Sequence, residues 1–259
     1  MLFTDQKCVS CLSVSKHIGQ YYDEYIDSDI NHNLFKCNNC GLYFFDRTNI
    51  TENIYKKNKL STNTKKPRHD MLKNIINKEI SNGKILDIGA GEAYIVNSLN
   101  PNNYEFTIID YHKPKNLPKG AEFIKSGIDE IDVNFFNENK FDCIILDNVL
   151  EHIMEPNDSI EKVVNWLSNE GFLIIAVPNR WNLKHILKLQ FNKEFYHPFE
   201  HVNIFTSKSL NFMMNDKKLY VKKVFCKPNS FFSTVNFPSL LGFPIFGIYF
   251  IYKKSLNKI

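Results

Sequence analysis

Two glycines and two acids near the middle of the chain have the types and spacing of a ligand-binding turn. Gly89 and Gly91 end an apolar-biased run, residues 84–88, and stand directly before a helix-like segment. This pattern predicts a buried parallel strand that turns sharply and presents backbone N–H groups at a helix start. Asp87 lies just before the first glycine, and Asp110 closes the next apolar run. We therefore expect a nucleotide-like ligand at this turn.

The residues around the turn distinguish two classes of such ligands. Tyr94 stands where a dinucleotide turn has its third glycine, and its bulk would crowd the packing that a pyrophosphate needs. The Asp87 carboxylate would repel a pyrophosphate but suits an ammonium or sulfonium group. Asp110 stands where an acid can accept both hydroxyls of a ribose. The two acids predict S-adenosylmethionine and argue against a nicotinamide dehydrogenase.

Four cysteines near the N-terminus form two Cys-x-x-Cys pairs. Cys8 and Cys11 form the first pair, and Cys37 and Cys40 form the second. Each pair can offer two thiolates to one tetrahedral Zn²⁺, and so short a segment needs the metal to fold. We predict a structural zinc ribbon that packs on the rest of the chain. The alternative is a ribbon that grips nucleic acid or substrate.

Two histidines, each preceded by a glutamate, are candidates for proton transfer. His152 follows Glu151 just past a predicted strand, and His201 follows Glu200. A placed histidine or carboxylate that removes the proton of a hydroxyl acceptor contributes about 10²- to 10⁴-fold. We expect His201, with Glu200, to face the acceptor as general base or orienter, and His152 to lie beside the ligand. The alternatives are a structural hydrogen bond for His201 and a role for Glu151 and His152 in capping or stiffening the following helix.

Seven apolar segments separated by helix-length stretches must position these side chains. Their rhythm predicts an α/β fold, a Rossmann-like doubly wound seven-stranded sheet that is mostly parallel with an antiparallel last strand. The predicted strands are 84–88, 105–109, 121–125, 141–146, 171–177, 221–226 and 247–253. A helix over residues 71–80 is expected before the first of them.

The same reading divides the chain into three parts. We predict a zinc-ribbon module over residues 1–45, a polar and basic linker over 46–66, and a catalytic domain over 67–259. The segment around 179–203 mixes aromatic, aliphatic and basic residues, as a substrate lid would. It would also suit an interfacial helix that contacts a membrane.

Ligands of open α/β sheets bind outside the carboxyl ends of the strands. We therefore expect one crevice there, with Tyr111 flanking the adenine and Asp129 or backbone groups near its amine. The cofactor-binding residues predicted for this crevice are Asp87, Gly89, Gly91, Asp110, Tyr111, Gly127, Ile128, Asp147 and Asn148.

Composition limits the choice of partners. The 259 residues suffice for one large domain and one small one, and 43% of them are hydrophobic, which favours a packed core. The formal charge of +4 is weaker than the basic stripe of a nucleic-acid binder. We find no signal peptide and no apolar run long enough to cross a bilayer, so we expect a cytoplasmic protein with a small-molecule or glycan-linked acceptor. The apolar C-terminal stretch leaves peripheral membrane contact open, although a last buried strand explains it more simply.

Five motifs together resemble the class I S-adenosylmethionine-dependent methyltransferases, notably the group of ubiquinone-type and sugar methyltransferases. They are LeuAspIleGlyAlaGly at 86–91, Asp110 after a strand, PheAspCysIleIleLeuAsp at 141–147, ValLeuGluHis at 149–152, and AsnIlePheThrSerLysSerLeu at 203–210. The resemblance covers roughly residues 67–252.

The resemblance implies a methyltransferase activity and a set of possible acceptors. Sugar methyltransferases similar to this chain place a Glu-His pair or a lone His where Glu200 and His201 stand. We expect O-methylation of a nucleotide sugar or a surface-polysaccharide precursor. The alternative acceptors are a quinone-type phenol and RNA, and a third alternative is a non-catalytic ligand-binding role. Four-cysteine modules also precede deoxysugar C-methyltransferases, but those enzymes carry a further C-terminal domain that this chain is too short to hold.

Overall fold

The computed structural model describes residues 6–22, 31–47, 66–178, 200–226 and 248–254. Its helices and strands follow in chain order. They are β1 (Gln6–Lys7), β2 (Val14–Tyr22), β3 (Asn31–Cys37), β4 (Tyr43–Phe45), α1 (Lys66–Glu79), β5 (Gly83–Ile88), α2 (Tyr94–Ser98), β6 (Tyr104–Asp110), β7 (Glu122–Lys125), β8 (Phe141–Asp147), α3 (Pro156–Trp166), β9 (Leu167–Val177), β10 (Asn203–Ile204), α4 (Ser207–Asp216), β11 (Leu219–Cys226) and β12 (Ile248–Lys254). Two 3-10 turns, Ile128–Glu130 and Leu150–His152, follow β7 and β8.

The seven predicted strands form one sheet in the order β11-β12-β9-β8-β5-β6-β7. Strands β5 to β9 pair in parallel, and β12 runs antiparallel to both β9 and β11. The prediction of a mostly parallel α/β sheet with an antiparallel last strand is therefore confirmed. From β5 the chain builds outward first through β6 and β7 and then on the other side through β8. The carboxyl end of β5 is thus the point where the strand order reverses, which is where open sheets bind ligands.

The central strands are apolar almost throughout because both faces of the sheet are covered. Successive side chains point to opposite faces, so β5 and β8 contribute to two cores. Leu86 and Ile144 pack in one apolar cluster with Trp166. Ile85 and Ile145 pack in the other. This burial fixes which residues of each strand reach the sheet edge.

A second sheet contains the cysteine pairs and is completed from elsewhere in the chain. Its order is β1-β2-β3-β4-β10, and all of its pairs are antiparallel. The last strand, β10, comes from the region beyond β9 and pairs Asn203 with Phe44 and Ile204 with Tyr43. Phe44 also belongs to the apolar cluster of the main sheet. We call the β1–β4 segment the four-cysteine module.

Several further expectations concern the ends of elements. The helix expected over 71–80 begins earlier, at Lys66. Residues 48–65 of the predicted linker and 179–199 of the predicted lid lie outside the described residues. The apolar C-terminal stretch contributes β12, whose Phe250 and Tyr252 are buried. Among the residues that the structure describes, no helix has the length and apolar character needed to cross a membrane.

Candidate functional site

The carboxyl ends of β5, β6 and β8 border a pocket of about 390 Å³. This volume falls within the range of small-molecule and cofactor sites. The pocket brings together all twelve residues that the sequence nominated for cofactor binding and catalysis. They are Asp87, Gly89, Gly91, Asp110, Tyr111, Gly127, Ile128, Asp147, Asn148, His152, Glu200 and His201.

The turn after β5 requires glycine for reasons of backbone and packing. Gly89 and Gly91 have φ angles of 66° and 60°, in the left-handed region that side chains disfavour. A Cβ atom at Gly89 would lie 2.5 Å from Cγ2 of Val149, which follows β8. The missing side chain at Gly89 therefore lets the β8 loop approach the turn. Ala93, which also has a left-handed φ of 55°, precedes α2.

Asp110 is held at the end of β6 by two backbone N–H groups. Gly91 N–H donates to its Oδ2 at 2.9 Å, and His112 N–H donates to its Oδ1 at 2.8 Å. Each carboxylate oxygen has a second lone pair, so both can still accept from ligand hydroxyls. The carboxylate is thus fixed beside the glycine turn in a geometry compatible with the predicted ribose role.

Asp87 is a buried acid with an unsatisfied oxygen. Its side chain belongs to a residue that is 2% exposed, and among the described residues its Oδ2 has no hydrogen-bond partner. Burial, and then the nearby Asp110 carboxylate, raise the pKa of Asp87 to about 8. A buried carboxylate in this state is stabilised either by a proton or by a cation. Asp87 therefore fits a positively charged ligand.

The opposite end of the pocket is lined by Tyr111 and the 3-10 turn after β7. The Tyr111 hydroxyl donates to Asp129 Oδ1 at 3.3 Å. A Cβ atom at Gly127 would lie 2.1 Å from that hydroxyl, so only glycine leaves room for the ring. Burial, followed by Asp129, raises the pKa of Tyr111. Ile128 adds a buried apolar side chain, and the whole arrangement suits a flat aromatic ligand group.

Asp147 and Asn148 end β8 on the other side of the glycine turn. Asn148 has a left-handed φ of 57°, and its N–H donates to Ala176 O at 2.9 Å. The bond ties the loop after β8 to β9 and directs the chain into the 3-10 turn Leu150–His152. Both residues line the pocket.

The histidines and their glutamates form one cluster beside this turn, in which polar side-chain atoms of Glu151, His152 and His201 all lie within 4.8 Å of one another. The Nε2 atom of His152 lies 3.7 Å from Glu151 Oε1, and the His152 and His201 ring centroids are 5.0 Å apart. Nδ1 of His152 contacts the carbonyl oxygen of Glu200. Because a carbonyl can only accept, Nδ1 carries the proton of the neutral ring and Nε2 keeps the lone pair.

Burial sets the protonation state of His152. It lowers the pKa of His152 to about 4, against the backbone contacts to Glu200 and Asn148, which act in the opposite direction. The imidazole is therefore neutral at neutral pH and can accept a proton. The alternative of a helix cap is wrong for Glu151 and His152, because α3 begins at Pro156 with Glu155 at its N-cap.

Three pocket residues with an acidic or imidazole side chain were not predicted from the sequence: His69, Glu92 and His112. His69 lies on α1 and stacks on Tyr94 with a centroid distance of 5.1 Å and an interplanar angle of 16°. A signal for it existed, because His69 shares helical spacing with the buried Leu72 and Ile76. Helical spacing alone does not show that the end of this face reaches a pocket.

The four predicted zinc ligands converge. Their sulfur atoms all lie within 4.8 Å of one another, with Cys8 and Cys40 3.6 Å apart and Cys11 and Cys37 3.4 Å apart. All four thiols are free, and Cys8, Cys37 and Cys40 are buried. Contact with the Cys40 thiol lowers the pKa of Cys8 despite burial. Four sulfur atoms at these separations suit one tetrahedral Zn²⁺.

Comparison with known proteins gives a family match and low-identity relatives. A family model described as a methyltransferase domain matches residues 57–222. The ubiquinone biosynthesis O-methyltransferases of two Rickettsia bellii strains are 26% identical over 120 residues, which is 42% of this chain and 48% of each relative. The chain thus spans about half the length of these curated relatives.

Two solved structures show the same fold. The Burkholderia thailandensis 1,6-didemethyltoxoflavin-N1-methyltransferase, with bound 1,6-didemethyltoxoflavin and S-adenosylhomocysteine, has a TM-score of 0.55 at 12% identity, and the alignment covers 92% of this chain and 100% of that one. The plantazolicin methyltransferase BpumL, in complex with a triazolic desmethylPZN analogue and S-adenosylhomocysteine, has a TM-score of 0.52 at 19% identity, and the alignment covers 74% of this chain and 87% of that one.

Proposed function

The chain belongs to the methyltransferase-domain family, whose model matches residues 57–222, and from this premise we propose that it is an S-adenosylmethionine-dependent O-methyltransferase. The observation that carries the proposal is the buried Asp87 carboxylate, whose Oδ2 has no hydrogen-bond partner in the described part of the chain, beside the backbone-held Asp110 at the glycine turn. This pair fits a ligand that combines a positive charge with ribose hydroxyls. Both solved structures described above contain S-adenosylhomocysteine.

The charge of the pocket supports this cofactor over a dinucleotide. The described residues that line it include seven acids and neither Lys nor Arg. The acids are Asp87, Glu92, Asp110, Asp129, Asp147, Glu151 and Glu200. Such a lining repels a pyrophosphate and attracts a sulfonium or an ammonium group.

Each pocket segment has a distinct task in the proposal. Asp87 faces the positive charge of the cofactor, Asp110 accepts its ribose hydroxyls, and Tyr111 with Ile128 flanks its adenine. When bound, S-adenosylmethionine supplies an electrophilic methyl group. The pocket residues then need to orient the acceptor oxygen and exclude water, and orientation of this kind contributes roughly 7–11 kcal/mol.

The histidine cluster removes the acceptor proton. His152 is neutral at neutral pH, and because its Nδ1 contacts the Glu200 carbonyl, the acceptor proton would be taken up at Nε2, which lies 3.7 Å from Glu151 Oε1. His201, 5.0 Å away between ring centroids, and Glu200 orient the acceptor hydroxyl or take up its proton. A base in this position suits an oxygen acceptor, whose hydroxyl must lose a proton on methylation.

The acceptor we favour is a small or glycan-linked hydroxyl compound, such as a nucleotide sugar or a surface-polysaccharide precursor. The support is the resemblance of the Glu200–His201 pair to the Glu-His pair or lone His of sugar methyltransferases. A quinone-type phenol is the second candidate, because the curated relatives are named ubiquinone biosynthesis O-methyltransferases. We further propose that Cys8, Cys11, Cys37 and Cys40 hold one structural Zn²⁺.

Calorimetry with S-adenosylhomocysteine tests the cofactor assignment. We expect binding to the native chain and strongly weakened binding to the Asp110→Ala variant, with the fold retained. Incubation with S-adenosylmethionine and candidate acceptors, followed by mass spectrometry, then tests the activity by the gain of one methyl group. A native chain that binds no S-adenosylhomocysteine would refute the proposal. Binding without any methyl transfer to sugars or phenols would favour the non-catalytic alternative.

A further inference from the structure

The four-cysteine module reaches the histidine cluster through the short strand β10. This strand begins two residues after His201 and pairs with β4, the last strand of the module. Phe45 N–H also donates to Val202 O at 3.0 Å. The backbone that carries Glu200 and His201 is therefore attached to the module's sheet.

The second histidine is connected to the same strand by the side chain of Asn203. This residue is 1% exposed, and its Nδ2 donates to Ile153 O at 2.6 Å. Ile153 directly follows the 3-10 turn that ends at His152. Strand β10 also packs against this turn. The side chain of one buried asparagine thus joins the two segments that bear the histidines.

Arg47, which follows β4, completes the connection from the module. Its Nη2 donates to Asn203 Oδ1 at 3.2 Å, and its Nη1 forms an ion pair with Glu155 at 2.9 Å. Both ends of the Asn203 amide are therefore bonded, one to the module and one to the turn after β8. Loss of the Asn203 amide would leave the Ile153 carbonyl and the Arg47 guanidinium without this hydrogen-bond partner, which costs free energy for buried groups.

The other half of the pocket is built without the module. Gly89 N–H donates to Ile109 O at 2.8 Å, and Gly91 N–H donates to Asp110, so these hydrogen bonds involve no residue of the module. We infer that Asn203 and Arg47 are positioning residues through which the four-cysteine module sets the His152–His201 pair, while the glycine turn and Asp110 stay independent of the module. The inference rests on the proposed function for its catalytic meaning.

Ring nitrogen spectra of the ¹⁵N-labelled chain test this inference without a known acceptor. The signals are assigned with His152→Gln and His201→Gln variants. In Asn203→Ala we expect both sets of ring signals to shift, and the midpoint of His152 to rise from about 4 towards its ordinary value of 6.5 as the turn opens to water. Calorimetry should find unchanged S-adenosylhomocysteine affinity.

A matched control uses an asparagine with the same kind of bond. Asn165, on α3, donates through Nδ2 to Val133 O at 2.9 Å, outside the histidine cluster. The Asn165→Ala variant should leave the histidine signals in place. A folded Asn203→Ala variant with native histidine signals and midpoint would overturn the inference.

Two further measurements keep the test decisive. If Asn203→Ala does not fold, Arg47→Gln removes the module's bond to the same amide and should shift the same signals; native signals in that variant would also overturn the inference.

Removal of metal from the zinc-loaded native chain with a chelator should shift the histidine signals and leave S-adenosylhomocysteine binding intact. If the native chain binds no S-adenosylhomocysteine, the proposed function fails, yet the histidine signals still decide whether the module positions the pair.

Discussion

Replacement of Asp87 by Asn should stabilise the ligand-free chain and weaken its binding of S-adenosylmethionine. The raised pKa of Asp87, about 8 against an ordinary 3.8, means that the folded chain holds a proton that the unfolded chain has released. Stability therefore falls as pH rises from 3.8 to about 8. At 1.36 kcal/mol for each tenfold change in proton affinity, the cost at pH 7 is about 4 kcal/mol as an upper limit.

Urea unfolding across this pH range measures the cost. The neutral amide of Asp87→Asn removes it, so we expect the variant to gain about 1–4 kcal/mol of unfolding free energy at pH 7 and to lose much of the native pH slope. Glu105→Gln is a matched control, because it removes an acid from the exposed face of the neighbouring strand β6. That variant should keep the native slope.

Cofactor binding reports on the same proton. If the positively charged ligand requires an ionised Asp87, affinity for S-adenosylmethionine should rise about tenfold per pH unit between pH 6 and 8. Calorimetry in two buffers of different ionisation heat should then detect the release of a proton at pH 6. An affinity that stays flat over this range, together with no proton release and no stabilisation in Asp87→Asn, would refute the assignment of Asp87.

Three more outcomes follow from the site. Gly89→Ala should lose at least about 2 kcal/mol of unfolding free energy in urea, because the left-handed φ at this position disfavours a side chain and the new Cβ would lie 2.5 Å from Val149. An unfolding midpoint equal to that of the native chain would contradict this packing. His201→Gln should retain S-adenosylhomocysteine affinity by calorimetry but lose about 10²- to 10⁴-fold in turnover of an accepted substrate, and an unaltered rate would exclude it as base. Metal analysis should find one zinc per native chain and none in Cys40→Ser, whose module should be more sensitive to proteolysis than that of the native chain. A native chain that resists proteolysis equally well without metal would refute the zinc proposal.

Much of the fold was predictable because the central strands are buried on both faces. Apolar runs such as residues 141–146 can only be strands of a covered sheet or buried helices, and the intervening helix-length stretches favoured the sheet. The glycine turn and Asp110 follow two such strands. Since parallel strands end at the same edge, their convergence on one pocket was predictable as well.

The connection between the two sheets was not predictable in the same way. Strand β10 has only two residues, so it carries no periodicity, and its partner β4 lies far away in the sequence. Asn203 reads as an ordinary polar residue until its burial and its bonds to Arg47 and Ile153 are seen. The sequence pattern around His69 likewise did not distinguish a pocket residue from a residue that only packs against its neighbours.

The sequence by itself determined the parallel sheet, the ligand turn and the four clustered cysteines, because each depends on residue types repeated or spaced over a short stretch. Tertiary structure alone decided that Asp87 Oδ2 is buried with no hydrogen-bond partner among the described residues, that burial keeps His152 neutral, and that Asn203 joins the four-cysteine module to the turn that bears His152. Those properties depend on burial and on contacts between distant segments, and no local pattern specifies either one.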